Sequence, residues 1–94
     1  MDDSVIDHAA AGRFELAVDG GVAFVNYRRS GTLLMLTHAE VPAHLEGRGV
    51  GSRLVAAVLA LARARGERVV PRCPFIAHYL ERHPEHQDLV AAPP

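Results

Sequence analysis

Three glycines alternate just before a helical pattern, and this turn most constrains what the chain can form. They are Gly47, Gly49 and Gly51, within a segment from Glu46 to Ser52 that follows an apolar strand pattern. Because glycine lacks a Cβ atom, the backbone can curl there and approach a ligand closely. The exposed N–H groups would coincide with the positive end of the helix dipole, which favours an anion site. A tight turn with no ligand would need glycines as well, so both interpretations remain open.

The chain before this turn shows three strand patterns joined by short glycine-containing turns. Alternation of apolar and polar residues, or a mostly apolar run, predicts strands at 13–18, 22–28 and 33–41. Turns at 19–21 and 29–31 connect them, since glycine accepts the positive φ that tight turns require. Three strands joined in this way predict an antiparallel meander. The ends of the chain, residues 1–12 and 91–94, are predicted to be loose.

After the turn the residue pattern is helical, and it then returns to that of a strand. Apolar residues recur at helical spacing from Gly51 to Arg65, and Gly66 stands where a C-terminal cap is expected. A fourth strand is then predicted at 68–73, a short helix at 75–82 and a last short pairing at 88–90. The strand–helix–strand connection predicts a right-handed crossover with parallel strands. The predicted fold class is therefore α+β: an antiparallel three-strand meander, a crossover helix, a parallel fourth strand and a short C-terminal helix.

Composition excludes several classes of protein. The 94 residues suit one domain, 1–94, and a net charge of −1 argues against nucleic-acid binding. All ten basic residues are arginine, so a P-loop, which requires lysine, is excluded. The dinucleotide fingerprint would need glycine where Ser52 or Leu54 stands. A single cysteine, without a signal peptide or membrane-spanning run, predicts a cytoplasmic protein. A monomer or weak dimer is expected.

The segment from Val41 to Leu54 resembles motif A of the GNAT acetyltransferase superfamily, usually Val-Pro-x-x-x-Arg-Gly-x-Gly-x-Gly/Ala. The resemblance covers about 14–89 and continues through the Cys-Pro-Phe segment at 73–75 to His83-Pro84, as in a small GNAT-like branch. It implies a single GNAT-like acetyltransferase domain. It also implies acetyl-coenzyme A as cosubstrate, with the pyrophosphate at the glycine turn.

The resemblance further implies which residues contact coenzyme A. The strand backbone from Ala39 to Val41 is expected to pair with the pantetheine arm. The full set of expected contacts is Ala39, Val41, Gly47, Arg48, Gly49, Val50, Gly51, Ser52 and Phe75. Glu46 stands where the superfamily commonly has arginine or glutamine. Because a carboxylate beside a phosphate is unfavourable, Glu46 is expected to point away and Arg48 to supply the positive charge.

Two candidate catalytic groups lie on the third predicted strand. Period-two alternation places Leu34, Leu36, His38 and Glu40 on one face. That face would pass from the core into a site at the strand's end, although a strand emerging into solvent would show the same pattern. In the functional interpretation His38 or Glu40 is a general base that removes a proton from an amine, directly or through water.

Cys73 and Tyr79 are the other candidate catalytic residues. A helix N-terminus and Arg72 favour the Cys73 thiolate, although a lone cysteine is commonly a core residue. The resemblance implies a cysteine near the acetyl group, which leaves direct amine attack and an acetyl-Cys73 intermediate both open. It also implies that Tyr79 protonates the departing thiolate. Tyr79 and Phe75 are four residues apart, so both rings could instead simply pack the helix onto the sheet.

The predicted function is transfer of an acetyl group from acetyl-coenzyme A to an unidentified amine or peptide acceptor. The helices that cover the acceptor site in larger GNAT enzymes have no counterpart here, so an open acceptor side is expected. No metal is expected, because the spacing of Cys73, His78, His83 and His86 matches no zinc pattern. No nucleic-acid or membrane partner is expected either. The alternative is a non-catalytic module that binds coenzyme A or acyl-coenzyme A.

Overall fold

The computed structural model describes residues 5–91, which form a five-stranded sheet and two α-helices. In chain order the elements are β1 (Ile6–His8), β2 (Arg13–Val18), β3 (Gly21–Ser30), β4 (Leu33–Glu40), α1 (Val50–Ala64), β5 (Arg68–Pro71) and α2 (Pro74–Arg82), with short 3-10 helices at Ala9–Ala11, Ala43–Leu45 and Pro84–Leu89. The strands lie in sequence order, antiparallel from β1 to β4, and β5 is parallel to β4. The predicted α+β class with a mixed sheet is confirmed.

The core lies between one face of this sheet and the helices. Alternate residues of the meander are buried, as Phe14 and Leu16 on β2 and Ala23 and Val25 on β3 illustrate. The α1 helix buries one stripe at helical spacing: Val50, Leu54, Val55, Val58, Leu59 and Ala62. Burial of each large aliphatic side chain contributes roughly 1.5–3 kcal/mol, so this stripe holds α1 against the sheet. The N-terminus of α1 is thereby fixed beside the end of β4.

The N-terminal lead-in differs from the prediction of a loose segment. Residues 6–8 form β1, which pairs antiparallel with β2, and Gly12 ends the following 3-10 turn with a left-handed φ of 62°. A three-residue strand has no periodicity to detect, and the side chain of Asp7 holds it in place through distant contacts. The remaining residues predicted as loose ends, 1–4 and 92–94, lie outside the described residues.

Asp7 is the centre of a charged cluster that ties β1 to the rest of the fold. Its carboxylate accepts hydrogen bonds from the Tyr27 hydroxyl and, at 2.8 Å, from Arg65 Nη1. Arg29 lies 3.7 Å from the same carboxylate and donates to the buried Glu67 at 2.6 Å. The cluster thus joins the edge strand, the centre of the sheet and the residues that follow α1.

This cluster lowers the pKa of Asp7. Burial by itself would raise the pKa, but the hydrogen bonds from Arg65 and Tyr27 outweigh it and hold the pKa below its ordinary value of 3.8. The positive charges of Arg65 and Arg29 act in the same direction. Burial and the hydrogen bond to Asp7 raise the pKa of Tyr27, so its hydroxyl stays protonated and donates.

The C-terminal segment returns to the outer edge of β5. Val90 forms a parallel bridge with Val69, which confirms the short pairing predicted at 88–90. The Ala91 N–H donates to the Val69 carbonyl at 2.9 Å. Arg63 and Asp88 form a two-bonded ion pair at 2.7 and 2.9 Å between α1 and this segment. Within 5–91, no helix is long and apolar enough to span a bilayer.

We expect Asp7→Asn to destabilise the protein by about 2 kcal/mol at neutral pH, because it removes the charge of a largely buried carboxylate that is paired with Arg65 and hydrogen-bonded to Tyr27. Chemical denaturation measures this change. Asp88→Asn is the matched control, since its ion pair with Arg63 is solvent-exposed and should matter much less.

The same variant should change the response to acid. The folded-state pKa of Asp7 lies below 3.8, so its contribution is complete above that value and is lost as pH falls through the folded-state pKa. Between about pH 5 and pH 2, the wild type should lose more of its unfolding free energy than Asp7→Asn does. Parallel pH curves for the two proteins would contradict this role for Asp7.

Candidate functional site

An open cleft of about 460 Å³ lies where the first turn of α1 meets the end of β4. Its volume falls within the usual range for small-molecule sites. The residues lining it come from β4, the glycine turn, α1 and α2: Ala39, Val41, Leu45, Glu46, Gly47, Gly49, Val50, Gly51, Ser52, Leu54 and Phe75. The structure thus brings together every residue predicted to contact coenzyme A except Arg48.

Two glycines of the turn adopt the left-handed conformation that the sequence suggested. Gly47 has a φ of 81° and Gly49 a φ of 76°. Gly49 is the N-cap of α1, and its carbonyl accepts the Arg53 N–H at 3.1 Å. An L-residue at either position would be strained by roughly 1–2 kcal/mol. Glycine therefore allows the chain to turn sharply from the strand end into the helix.

Within residues 5–91, no side chain caps the N-terminus of α1. Gly49 has no capping side chain, and the first turn contains no acidic residue. The N–H groups of Val50, Gly51 and Ser52 therefore lack intrahelical acceptors, and the positive end of the helix dipole lies beside them. All three residues line the cleft. This end of the cleft is suited to an anion.

Gly51 meets a different constraint, which is the approach of an aromatic ring. A Cβ atom at Gly51 would lie 2.7 Å from Phe75 Cζ and 3.5 Å from Val41 Cγ2. Only glycine lets the Phe75 ring lie this close to the start of α1. The ring is 45% exposed and forms one wall of the cleft.

The other wall of the cleft is the edge of β4 beyond the point where its pairing with β5 ends. β4 pairs with β5 only from Leu33 to Leu36, and the last bond of this ladder runs from the Arg72 N–H to the Leu36 carbonyl at 2.9 Å. β5 ends at Pro71, whereas β4 continues to Glu40. Among the described residues, no strand pairs with 37–40 on this side. Backbone N–H and C=O groups of β4 are therefore left for a ligand.

An irregularity in β4 occurs at the same point. Tyr27 pairs with Leu36 and Asn26 with His38, so Thr37 has no partner on β3. This extra residue is a β-bulge, and the Thr37 hydroxyl donates to the Asn26 carbonyl at 3.2 Å. A bulge bends its strand and increases the local twist. The end of β4 can then diverge from β5 and open the cleft.

The bulge also overturns the predicted placement of His38 and Glu40. They were expected on the same face as Leu34 and Leu36, but an extra residue reverses which side chains point to which face. His38 pairs with Asn26, which lies on the face opposite to the buried Tyr27. His38 and Glu40 consequently project from the uncovered face of the sheet, away from α1.

On that face His38 and Glu40 contact each other. His38 Nε2 lies 3.3 Å from Glu40 Oε1, with side chains 54% and 62% exposed. The Phe24 ring lies 6.1 Å from the His38 ring. Neither His38 nor Glu40 lines the cleft, whereas Ala39 between them does. The alternation places the pair and the cleft on opposite sides of the same strand end.

Cys73 occupies a less accessible place than predicted. The fourth strand of the prediction reached Cys73, but β5 ends at Pro71 and Cys73 is the N-cap of α2, with its carbonyl accepting the Ala77 N–H at 2.9 Å. The residue is 6% exposed and packs within the hydrophobic core. It does not line the cleft.

Tyr79 lies on α2 in a small depression that continues from the cleft. The depression is lined by Ser52, Phe75, His78, Tyr79, Arg82 and His83, of which Ser52 and Phe75 also line the main cleft. Burial, together with the negative charge of Glu85, raises the pKa of Tyr79, so its hydroxyl keeps its proton at neutral pH. A protonated phenol can act as a general acid.

Glu46 and Arg48 lie in the reverse of the expected arrangement. Glu46 lines the cleft, whereas Arg48 lines a second depression on the other side of the turn, with Asp19 and Arg53.

Sequence reasoning also missed Leu45 and Leu54 as lining residues. Leu54 follows Gly51 by three positions, so helical spacing could have indicated it.

No cluster of three or more His, Cys, Asp or Glu residues suited to a metal is found in the described part of the chain. The sequence analysis weighed Cys73, His78, His83 and His86 as ligands, and two of these four have other contacts. His83 stacks on Tyr79, and Cys73 packs in the core.

Comparison with known proteins gives a family and a structural relative. Residues 13–89 match the family described as GCN5-related N-acetyl-transferase. The chain superposes with a TM-score of 0.73 on a solution structure from Staphylococcus aureus, whose assignment as a GCN5-like N-acetyltransferase is itself inferred. The two are 24% identical, and the match covers 100% of this chain and 94% of the other, which supports a shared fold. No curated protein matches the chain. The narrower assignment to a branch with a Cys-Pro-Phe motif stays a prediction.

We expect Gly49→Ala to destabilise the protein by about 1 kcal/mol, because alanine is strained at a φ of 76°. Urea denaturation measures the change. Ser52→Ala is the control in the same turn, since Ser52 lies in the helix and alanine favours helix formation. Equal stability of Gly49→Ala and wild type would mean that the turn does not require the left-handed conformation.

Proposed function

Because the chain belongs to the GCN5-related N-acetyl-transferase family, we propose that it transfers the acetyl group of acetyl-coenzyme A to an amine acceptor. One observation carries the proposal: the uncapped N-terminus of α1 and the unpaired edge of β4 border the same cleft. A ligand with an anionic group attached to an amide-containing arm would use both features. Coenzyme A has this combination.

The pyrophosphate would lie against the first turn of α1. The N–H groups of Val50, Gly51 and Ser52 have no intrahelical acceptors and can donate to phosphate oxygens. Gly47 and Gly49 let the backbone approach closely, because no Cβ atom intervenes. Glu46 in the lining opposes an anion, so backbone donors and the dipole must outweigh its charge.

The pantetheine arm would lie along the open edge of β4. Its amides can pair with backbone groups near Ala39 and Val41, in the manner of an added strand. Leu54 and Phe75 supply apolar contacts for the methylene groups between those amides. The gap left where β4 and β5 diverge would admit the thioester.

Direct transfer would use candidate catalytic groups from both sides of the end of β4. The amine nitrogen attacks the thioester carbonyl, a C–N bond forms, and the C–S bond breaks. His38 or Glu40, on the uncovered face of the sheet, would take the proton from the amine. Tyr79, whose hydroxyl stays protonated, would donate a proton to the departing thiolate. The acceptor would approach from that uncovered face, where short connections between β1, β2 and β3 leave room for a peptide.

Transfer through Cys73 is the other route open to these residues. The thiolate would take the acetyl group from coenzyme A and then pass it to the amine, so two transfers replace one. Because Cys73 is 6% exposed and packed in the core, this route would require the start of α2 to move. Burial therefore favours direct transfer.

A second candidate is a module that binds acetyl-coenzyme A without catalysis. One observation favours it: neither Cys73 nor the His38–Glu40 pair lines the cleft. Binding would then be as proposed, and acceptor assays would show no turnover.

We expect millimolar acetyl-coenzyme A to raise the thermal midpoint, since ligand at 100 times its Kd stabilises a protein by about 2.7 kcal/mol. Gly51→Val should abolish this shift, because its side chain would displace the Phe75 ring into the cleft. Ala60→Val, on an exposed position of the same helix, is the matched control and should keep the shift. Absence of any shift with wild type would contradict coenzyme A binding.

We expect acetylation of a peptide and amine panel, with kcat/KM about 100-fold lower when the general base is removed by His38→Ala or Glu40→Gln. Cys73→Ala should keep turnover. Glu15→Gln, on β2, is the control for loss of a carboxylate outside the proposed machinery. A covalent acetyl adduct seen by mass spectrometry and lost together with turnover in Cys73→Ala would establish the Cys73 route instead. Binding without turnover of any acceptor would support the non-catalytic module.

A further inference from the structure

The face of the sheet opposite α1 carries charges that are unevenly distributed. On the side nearer β1 they are paired with one another: Glu15 lies 3.1 Å from His8 Nε2 and 3.6 Å from Arg13 Nη1. The Arg13 guanidinium also lies 3.8 Å from the centre of the Phe24 ring and donates to the Asn26 side chain at 3.3 Å. The charges on this side of the face therefore satisfy one another.

The side of the face nearer β5 has arginines at its margins and apolar residues between them. Arg28 pairs in register with Met35, and Met35 with Val70, so these three side chains lie on one face. Residues next to them in the chain, such as Leu34 and Val69, are buried on the other face. The same pairing and alternation add Leu33 and two further arginines of β5 and its end. We call this surface the arginine groove, with the floor and margins Leu33, Met35, Val70, Arg28, Arg68 and Arg72.

The arginines of the groove are exposed and are not neutralised by a carboxylate. Within residues 5–91, the ion pairs include neither Arg28, Arg68 nor Arg72, and Arg68 donates only to a backbone carbonyl at 3.4 Å. By contrast Arg29, next to Arg28 in the chain, is bonded to Glu67 at 2.6 Å. A guanidinium pairs readily with a carboxylate, often through two parallel hydrogen bonds. The arginine groove is therefore suited to an anionic partner.

The groove begins beside the proposed site of transfer. The Arg72 N–H donates to Leu36, the last residue of β4 that pairs with β5, and His38 follows on the same uncovered face. At about 3.3 Å per residue, Arg68 and Arg72 lie roughly 13 Å apart along the chain, and Arg28 lies about 10 Å away across β4. Anionic groups that meet all three arginines must therefore be spread along an extended molecule.

We propose that the acceptor is an acidic peptide, whose carboxylates pair with the arginine groove while its N-terminal amine lies at His38. The inference rests on the proposed function, because it names the acceptor of that transfer. The peptide would lie extended over Leu33 and Met35 on β4, between the arginines of β3 and β5. Alternate side chains of an extended chain point to the same side, so acidic residues at every second position would face the groove.

Other anionic partners fit the groove less well. Its floor is Leu33, Met35 and Val70, which offer no aromatic ring on which a nucleic-acid base could stack. The net charge of −1 on the whole chain also disfavours a nucleic acid. A single amino acid is too short, because its carboxylate stands beside its amine and could reach at most the nearest arginine.

Three short peptides with a free N-terminal amine test the proposal: one with glutamate at alternate positions, and two with glutamine or arginine at those positions. With wild type and acetyl-coenzyme A, the glutamate peptide should have a KM about tenfold below that of the glutamine peptide at similar kcat, since several exposed ion pairs each contribute modestly. Combining Arg28→Gln with Arg72→Gln should remove most of this preference. Arg63→Gln, on α1, is the matched control and should keep it, because Arg63 is paired with Asp88.

Charge reversal separates recognition from loss of folding. Arg28→Glu should raise the KM for the glutamate peptide and lower the KM for the arginine peptide, whereas a misfolded variant would lose activity towards both. Fluorescence anisotropy of the same peptides, labelled at their C-termini, measures the preference without turnover and should give the same order of affinities.

Several results would overturn the proposal while leaving acetyl transfer in place. They are equal KM values of the glutamate and glutamine peptides in wild type, a preference that survives Arg28→Gln with Arg72→Gln, and displacement of the bound glutamate peptide by duplex DNA more readily than by unlabelled peptide. Binding of the glutamate peptide while only other amines are acetylated would overturn its role as acceptor. If no peptide or amine of any kind is acetylated, the proposed function fails as well, so the two failures are distinguishable.

Discussion

The separation of β4 from β5 after Leu36 is the constraint on which the rest of the site depends. β5 stops at Pro71, whose ring nitrogen cannot donate, and β4 continues for four more residues with no strand of the described chain on its β5 side. The bulge at Thr37 bends β4 at this point. An unpaired strand edge is normally a liability, and here it borders a cleft that a ligand with amide groups could fill.

This geometry places the glycine turn beside the open edge of β4. An uncapped helix N-terminus attracts anions anywhere, but α1 is held by its buried stripe so that Val50, Gly51 and Ser52 face the same cleft as β4. Gly51 serves packing, because it admits the Phe75 ring, whereas Gly47 and Gly49 serve backbone conformation. The alternating glycines thus meet two separate physical demands within five residues.

The errors of the sequence analysis have identifiable causes. β1 is three residues long, and its Asp7 is held by Tyr27 and Arg65, far away in the chain, so no local pattern marks it. The face assigned to His38 and Glu40 was wrong, because period-two alternation assumes a regular strand. The residues Leu36-Thr37-His38 contain no sequence signal that predicts a bulge. Cys73, expected at the crevice, is a core residue at the start of α2.

By itself the sequence determined the α+β class, the meander, the crossover helix and the glycine turn, since each depends on local periodicity or on the φ angles that only glycine accepts readily. Of the nine residues that the family resemblance implied for coenzyme A, all except Arg48 line one cleft. Only the tertiary structure decided which side of β4 carries His38 and Glu40, how deeply Cys73 lies, and that rings and Arg82 meet beside Ser52. Those features depend on contacts between distant segments, which local sequence patterns do not encode.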